Sequence, residues 1–318
     1  MKRDKNNQPS TSNLLQKVAL AYDSIKMDPA KTTDMQKEIW VKRYRHWEDE
    51  TRPARPTSDE VGIYERLFLD HKTAKKNILL LGVTPELRDM FSRHNISPII
   101  VDFSSESFML TSRFLKNALP ANETWITNNW LHLPYPEHYF DFIFGDIVLN
   151  QFPPTLEVQF LKEVHRTLGQ SGHFITRTTY IDSSFGPSLL QEKVRAICRV
   201  RRLTQDQKIA MVVNAALFTS RDTHTRRMSP TFARMLLSKI REKIDKKSDD
   251  LHDELQNKVI HNAISQLQTT PYPGGRWWAP PSQEHLCGLF TKEFSIGKVL
   301  HAKDHPSRYL PIFDLVPQ

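Results

Sequence analysis

The chain has 318 residues, 39% hydrophobic and 25% charged, with a formal net charge of +8 and only two cysteines. That length supports one substantial core with an elaboration. No apolar run approaches the ~18 residues of a membrane span, no apolar stretch follows Met1-Lys2-Arg3 as a signal peptide would require, and Cys198 and Cys287 offer no disulfide framework. A reducing, cytoplasmic setting fits this balance.

Residues 1–34 read as a tail: the first dozen are polar and expected to be disordered, and Leu14 to Ala21 suits a short helix. From Met35 to Trp47, Ile39, Trp40, Tyr44 and Trp47 recur at helical spacing with Lys37, Lys42, Arg43 and Arg45 between them. Pro53 and Pro56 then force an extended stretch. Ser58 or Asp59 is expected to cap a helix carrying Val61, Ile63, Tyr64, Leu67 and Phe68.

Ile78 to Leu81 is a continuous apolar run, the pattern of a strand buried on both faces of a parallel sheet. It breaks at Gly82, Thr84 can cap, and Pro85 suits the first helical position, where no amide hydrogen is needed. Leu87, Met90 and Phe91 share a helical face, and a second apolar run ends at Asp102. An acid at a strand tip roughly 20 residues after a glycine turn is placed to hold ribose hydroxyls, which predicts an adenosine site. The turn carries one glycine where a dinucleotide fingerprint needs three.

Further along come Trp125 to Asn129, the rigid Leu133-Pro134-Tyr135-Pro136, and the strand-like Tyr139 to Asp146. A helix from Phe160 to Leu168, the turn Gly169 to Gly172 and the run Phe174-Ile175 follow. Residues 183–280 are expected to be a helical insertion. Four stretches there have helical periodicity: Leu189–Leu203, Thr204–Phe218, Pro230–Ile244 and Asp249–Leu267. Residues 193–247 hold 15 Lys and Arg against four acids, so this segment carries the whole positive surplus. Arg221, Arg226 and Arg227 could bind a phosphate or carboxylate on a substrate, or the helices could follow a nucleic-acid backbone. Trp277 lies in a Pro- and Gly-rich loop that could wall a substrate pocket. His301 and His305 lack a carboxylate or cysteine to complete a zinc set, so no metal is expected.

The string LPYPEHYFDFIFGD followed by FLKEVHRTLGQSGHFI resembles the second half of class I S-adenosylmethionine-dependent methyltransferases, and the GVTPEL turn resembles one bacterial group among them. The firm likeness runs from Asn77 to Arg177. It implies a Rossmann-like α/β sheet with helices on both faces, formed by residues 35–182 and 281–318, with an N-terminal helical arm and a helical cap, 183–280, inserted after strand five. Ser282–Phe290, Phe294–Leu300 and Tyr309–Leu315 would close the sheet. The implied activity is methyl transfer from S-adenosylmethionine to a small, anionic acceptor. RNA as acceptor, or a binding protein that has lost the reaction, are the rivals.

By the same likeness, Gly82, Thr84 and Pro85 would approach the cofactor, Asp102 would hold its ribose, and Phe103, Asn129 and Trp130 would meet its adenine. Asp146 would face the sulfonium, while Trp40, Arg55 and Tyr64 would close over the methionine end, Arg55 near its carboxylate. The family's acid two residues before the glycine is here Leu80, and Glu86 is the substitute on offer for the methionine amine. His132 and Asp146 are candidate bases by position, and Arg177 or Tyr180 would orient the acceptor.

Overall fold

The computed structural model describes residues 40–41, 43–45, 47–49, 55–71, 77–181, 183–222, 226, 228–245, 251–269, 278–303 and 310–318. Two compact units divide the chain, one holding 183–277 and the other 33–182 with 278–318.

The second unit is built on a seven-stranded mixed sheet, the Rossmann-like α/β fold expected from the sequence. Its strands are β1 (Ile78–Leu81), β2 (Ile99–Asp102), β3 (Thr124–Thr127), β4 (Phe140–Asp146), β5 (Leu168–Arg177), β6 (Phe294–Leu300) and β7 (Ile312–Pro317), in the spatial order β3-β2-β1-β4-β5-β7-β6. The first five pair in parallel, and β7 runs antiparallel to both β5 and β6. Its helices include α1 (Ser58–Asp70), α2 (Pro85–Arg93), α3 (Ser105–Ser112), α4 (Pro154–Thr167) and, after the helical unit, α9 (Gln283–Phe290).

The period-2 alternation of strands sorts the core into two layers. Leu79, Leu81, Val101 and Ile143 point to the layer shared with Phe160 and Leu161 of α4 and Leu286 of α9. Ile78, Leu80, Ile100, Phe142 and Phe144 point to the layer filled by Leu67 and Phe68 of α1 and Met90 and Phe91 of α2. Covering a sheet on both sides is what lets its strands be apolar throughout.

Local chemistry departs from the sequence expectation in three places. The cap of α1 is Thr57, which forms a reciprocal capping box with Glu60, and neither Ser58 nor Asp59 plays that part. Thr84 precedes α2 but makes no side-chain cap bond, leaving Pro85 at N1 as the start signal. Gly169 to Gly172 lies within β5, which begins at Leu168 directly after α4, as an irregularity that adds three residues between the pairs Phe140–Leu168 and Phe142–His173.

The helical unit comprises α5 (Pro187–Arg199), α6 (Gln205–Thr219), α7 (Pro230–Asp245) and α8 (Leu251–Thr269). Leu190, Val194, Val212, Ala216, Leu237, Val259 and Ala263 form its own apolar core. α6 opens on a capping box between Thr204 and Gln207.

Candidate functional site

At the carboxyl edge of the parallel strands, where open α/β sheets take ligands, the sheet unit holds a cavity of about 400 Å³ counted with its open mouth. The tips of β1, β2 and β4 floor it through Leu81, Gly82, Asp102 and Asp146. Gly82 adopts a positive φ of 86° and donates its N–H to the Val101 carbonyl at 2.9 Å, so the chain turns away from β1 in a conformation that suits glycine. A Cβ there would meet Trp130 at 3.7 Å. Trp130 itself is fixed by its indole N–H on the Val101 carbonyl at 2.8 Å.

Asp102 ends β2 and is 2% exposed. One carboxylate oxygen accepts the Ser104 N–H at 2.9 Å. Burial pushes its pKa up to about 7, and that one backbone bond only partly offsets the rise. A carboxylate with four acceptor sites and so little protein donation is unfinished. It needs hydroxyl donors, and the cavity is where they can come from.

Asp146, at the tip of β4, is the opposite case. Arg177, the last residue of β5, grips it through Nε at 2.7 Å and Nη2 at 2.9 Å and holds Glu60 of α1 through Nη1. Tyr64 donates its hydroxyl to the Gly145 carbonyl at 2.9 Å and lies 3.3 Å from Asp146, while the Arg177 N–H donates to that hydroxyl oxygen at 2.7 Å. Burial raises the Asp146 pKa to about 6, and the Arg177 guanidinium limits the rise. Burial also pushes Tyr64 well above the ordinary phenol range.

Beyond Asp146 the backbone is strained. Ile147 has φ of 58°, rare for a β-branched residue and worth about 1–3 kcal/mol. Its N–H donates to the Arg177 carbonyl at 2.9 Å, and its carbonyl accepts from Gln151 Nε2 at 3.1 Å. Gly145 is required beside it, since a Cβ would come within 2.6 Å of Val148.

The wall is aromatic. Trp40, Tyr44 and Trp47 line the cavity together with Phe103 and Trp130. Trp40 stacks on Tyr44 at 5.5 Å and donates its indole N–H to Gln151 Oε1 at 3.1 Å. Trp47 donates to both oxygens of Glu86, at 3.1 and 3.2 Å, and Arg55 Nε donates to the same carboxylate at 2.7 Å. Among the described lining residues there is no lysine or arginine.

The expected site residues therefore divide. Gly82, Thr84, Asp102, Phe103, Trp130, Asp146 and Trp40 meet at the cavity. Pro85 and Glu86 start the adjoining helix, and Glu86 and Arg55 are engaged with each other and with the lining Trp47 and the 47–48 backbone, beside the cavity. Tyr64 is fully buried and braces β4 and β5, so it does not close over a ligand. Arg177 has no exposed surface, and all three guanidinium nitrogens serve Asp146 and Glu60, so it is not the acceptor-orienting residue expected.

Tyr180 is buried in the core, its hydroxyl on Gln283 at 3.3 Å. Asn129 is exposed and spends its Oδ1 on the Leu131 N–H, and the exposed His132 lies 3.5 Å from Gln159; neither lines the cavity. Arg221 and Arg226 belong to the helical unit, where both are half-buried. Arg227 and Trp277 lie outside the described residues.

Sequence reasoning missed Tyr44, Trp47 and Gln151 as lining residues. The helical recurrence of Trp40, Tyr44 and Trp47 was a signal for the first two, since three aromatics on one face must cover something. Gln151, at the end of the short 3-10 helix Leu149–Gln151 after β4, gave none.

No family model matches the chain, and no curated protein does. Among solved structures it is similar to a Zn-dependent alcohol dehydrogenase, so named, from Rhodobacter sphaeroides, at 12% identity over 89% of this chain and 99% of that one, with a TM-score of 0.50. It is also similar to the 1,6-didemethyltoxoflavin-N1-methyltransferase of Burkholderia thailandensis, at 10% identity over 91% and 89%, TM-score 0.48, and to a SAM-dependent methyltransferase from Methanosarcina mazei, at 13% over 78% and 94%, TM-score 0.43. At such identities likeness concerns the fold alone and transfers neither zinc nor substrate.

Proposed function

We propose that the protein is an S-adenosylmethionine-dependent methyltransferase acting on a small acceptor. The observation that carries this reading is the lining of the cavity: five aromatic side chains and the unsaturated carboxylate of Asp102, with no lysine or arginine among the described lining residues; the second carboxylate, Asp146, is already paired with Arg177. Aromatic faces and carboxylates favour a cation in a dry site, and S-adenosylmethionine is a nucleoside that bears a sulfonium. Asp102 supplies the acceptor that ribose hydroxyls require. Trp130 and Phe103 offer flat apolar surface beside it for a base, and Trp40 and Tyr44 offer electron-rich faces for the sulfonium.

The same residues argue against a dinucleotide. A pyrophosphate is usually cradled by backbone N–H groups at a helix N-terminus, but Pro85 at N1 of α2 has no N–H, and Glu86 puts a carboxylate in the first turn. When bound, the cofactor supplies a methyl group already activated on sulfur, so the protein's part is to align the acceptor and exclude water.

RNA as acceptor has one observation in its favour. Arg195, Arg199, Arg201 and Arg202 are exposed, and none forms an ion pair with a described residue. An RNA footprint on these arginines predicts steeply salt-dependent binding; salt-insensitive affinity would sink it.

The deciding experiment is calorimetric titration of the protein with S-adenosylmethionine and with its demethylated product. Micromolar binding, weakened by about 1–3 kcal/mol in Asp102→Ala through loss of a charge-assisted acceptor, is the expected result. No binding to the wild type overturns the reading. Binding without methyl loss on addition of cell extract would favour a protein that keeps the cofactor and has lost the reaction.

A further inference from the structure

Three side chains far apart in sequence meet at the end of the sheet remote from the cavity. His71 follows the last turn of α1, His173 lies on β5 and Asp314 on β7. His71 Nε2 is 3.2 Å from Asp314 Oδ2, and His173 Nδ1 is 2.8 Å from Asp314 Oδ1. The candidate ligand atoms lie within 4.8 Å of one another, and the two imidazoles stack at 3.8 Å. Asp314 is 2% exposed, whereas the His71 side chain is 29% exposed.

We propose that His71, His173 and Asp314 form a binding site for a zinc-type divalent cation, a reading independent of the cofactor assignment. Two imidazole nitrogens and one carboxylate are the donor set of borderline metals such as zinc, and three protein ligands leave a fourth position for water. A tetrahedral ion with bonds of about 2.0–2.1 Å needs ligand atoms roughly 3.3 Å apart. Each imidazole nitrogen is within half an ångström of that from one oxygen of Asp314, His71 from Oδ2 and His173 from Oδ1, and the three ligand atoms lie within 4.8 Å, so the ion would draw them together by rotation of the carboxylate and the rings.

The ion would take the place of the two N–H protons now aimed at the carboxylate, and those protons would sit on His71 Nδ1 and His173 Nε2. The partly exposed His71 gives an entry path. Gly297 of β6 keeps space open beside the carboxylate, since a Cβ there would lie 3.6 Å from Asp314 Oδ2. The nearest cation in the sheet register, Lys298, is turned to Asp70 at 2.8 Å and leaves Asp314 to the histidines.

The consequence reaches the cavity through α1. Glu60 and Tyr64 brace Arg177 and Gly145 near one end of that helix, and His71 would be clipped to β5 and β7 about 15 Å further along. A bound ion would fix both ends of the element that supports Asp146.

The test uses the full chain stripped with a chelator and titrated with Co2+, then Zn2+. One equivalent of Co2+ with the visible bands of a tetrahedral site, displaced by Zn2+, is expected. Zn2+ should raise the thermal midpoint of the wild type, as a ligand of the native state does. His71→Ala, at a partly exposed position, should keep the wild-type circular dichroism and weaken Co2+ binding at least about 100-fold, beyond the loss typical of an outer-shell partner. Asp314→Asn, which keeps the shape, should do the same. No tetrahedral bands at high Co2+, or equal binding by His71→Ala, overturns the proposal.

Discussion

Asp102 and Asp146 occupy equivalent places, each the last residue of a parallel strand, buried, and lining one cavity. Their partners are unlike. Asp146 receives a bidentate guanidinium, while Asp102 receives a single backbone N–H. Protein interiors satisfy buried polar groups unless something else will, so the first carboxylate reads as architecture and the second as a ligand's acceptor. A strand tip is thus not a functional assignment by itself; the donors already spent on it decide.

Breaking the saturated tip should have the largest effect. Arg177→Met leaves Asp146 and Glu60 buried without their common cation and is expected to cost about 3–5 kcal/mol in urea denaturation. A cost under about 1 kcal/mol would mean that the β4 tip is not structural, and the contrast would fail.

The unsaturated tip should respond through binding and through pH. Because the folded Asp102 pKa lies near 7, above the unfolded value near 3.8, the unfolded chain binds fewer protons between those values. Stability contributed by this group is therefore present at low pH and lost as pH rises from about 4 to 7. Asp102→Asn should be more stable than wild type at pH 8, with the gain fading toward pH 4. Cofactor affinity should move the other way. It requires the carboxylate, so it should fall as pH drops below about 7, by up to about tenfold per unit, and the dependence should vanish in Asp102→Asn. A flat wild-type profile would mean that no ligand uses this acid.

The sequence made one of these tips readable and hid the nature of the other. β1 was expected at Ile78–Leu81 and is found there, because an unbroken apolar run bounded by Gly82 has few alternatives; β6, found at Phe294–Leu300, was legible only through the methyltransferase likeness, since Ser295, Gly297 and Lys298 interrupt its apolar residues. The helices α5 to α8 lie within a few residues of their periodic patterns. Asp102 could be placed from the distance to Gly82. The saturation of Asp146 could not, since Glu60, Tyr64 and Arg177 are 86, 82 and 31 positions away and meet it only through the sheet and α1. The same reason hid His71, His173 and Asp314, whose spacing matches no local metal pattern.

The smallest predicted effect tests the wall between the two tips. Trp40 gives the cavity both a ring and, through its indole N–H on Gln151, a tie to the strained turn after β4. If the ring serves a sulfonium, Trp40→Ala should weaken S-adenosylmethionine by about 0.5–2 kcal/mol, the range of a cation–π contact, and weaken the neutral thioether product less. Trp40→Phe keeps a face but loses the bond to Gln151, so it should preserve most of that discrimination while lowering both affinities alike. Equal losses for the two ligands in Trp40→Ala would make the ring simple apolar cover and remove the ground for a cation preference at this wall.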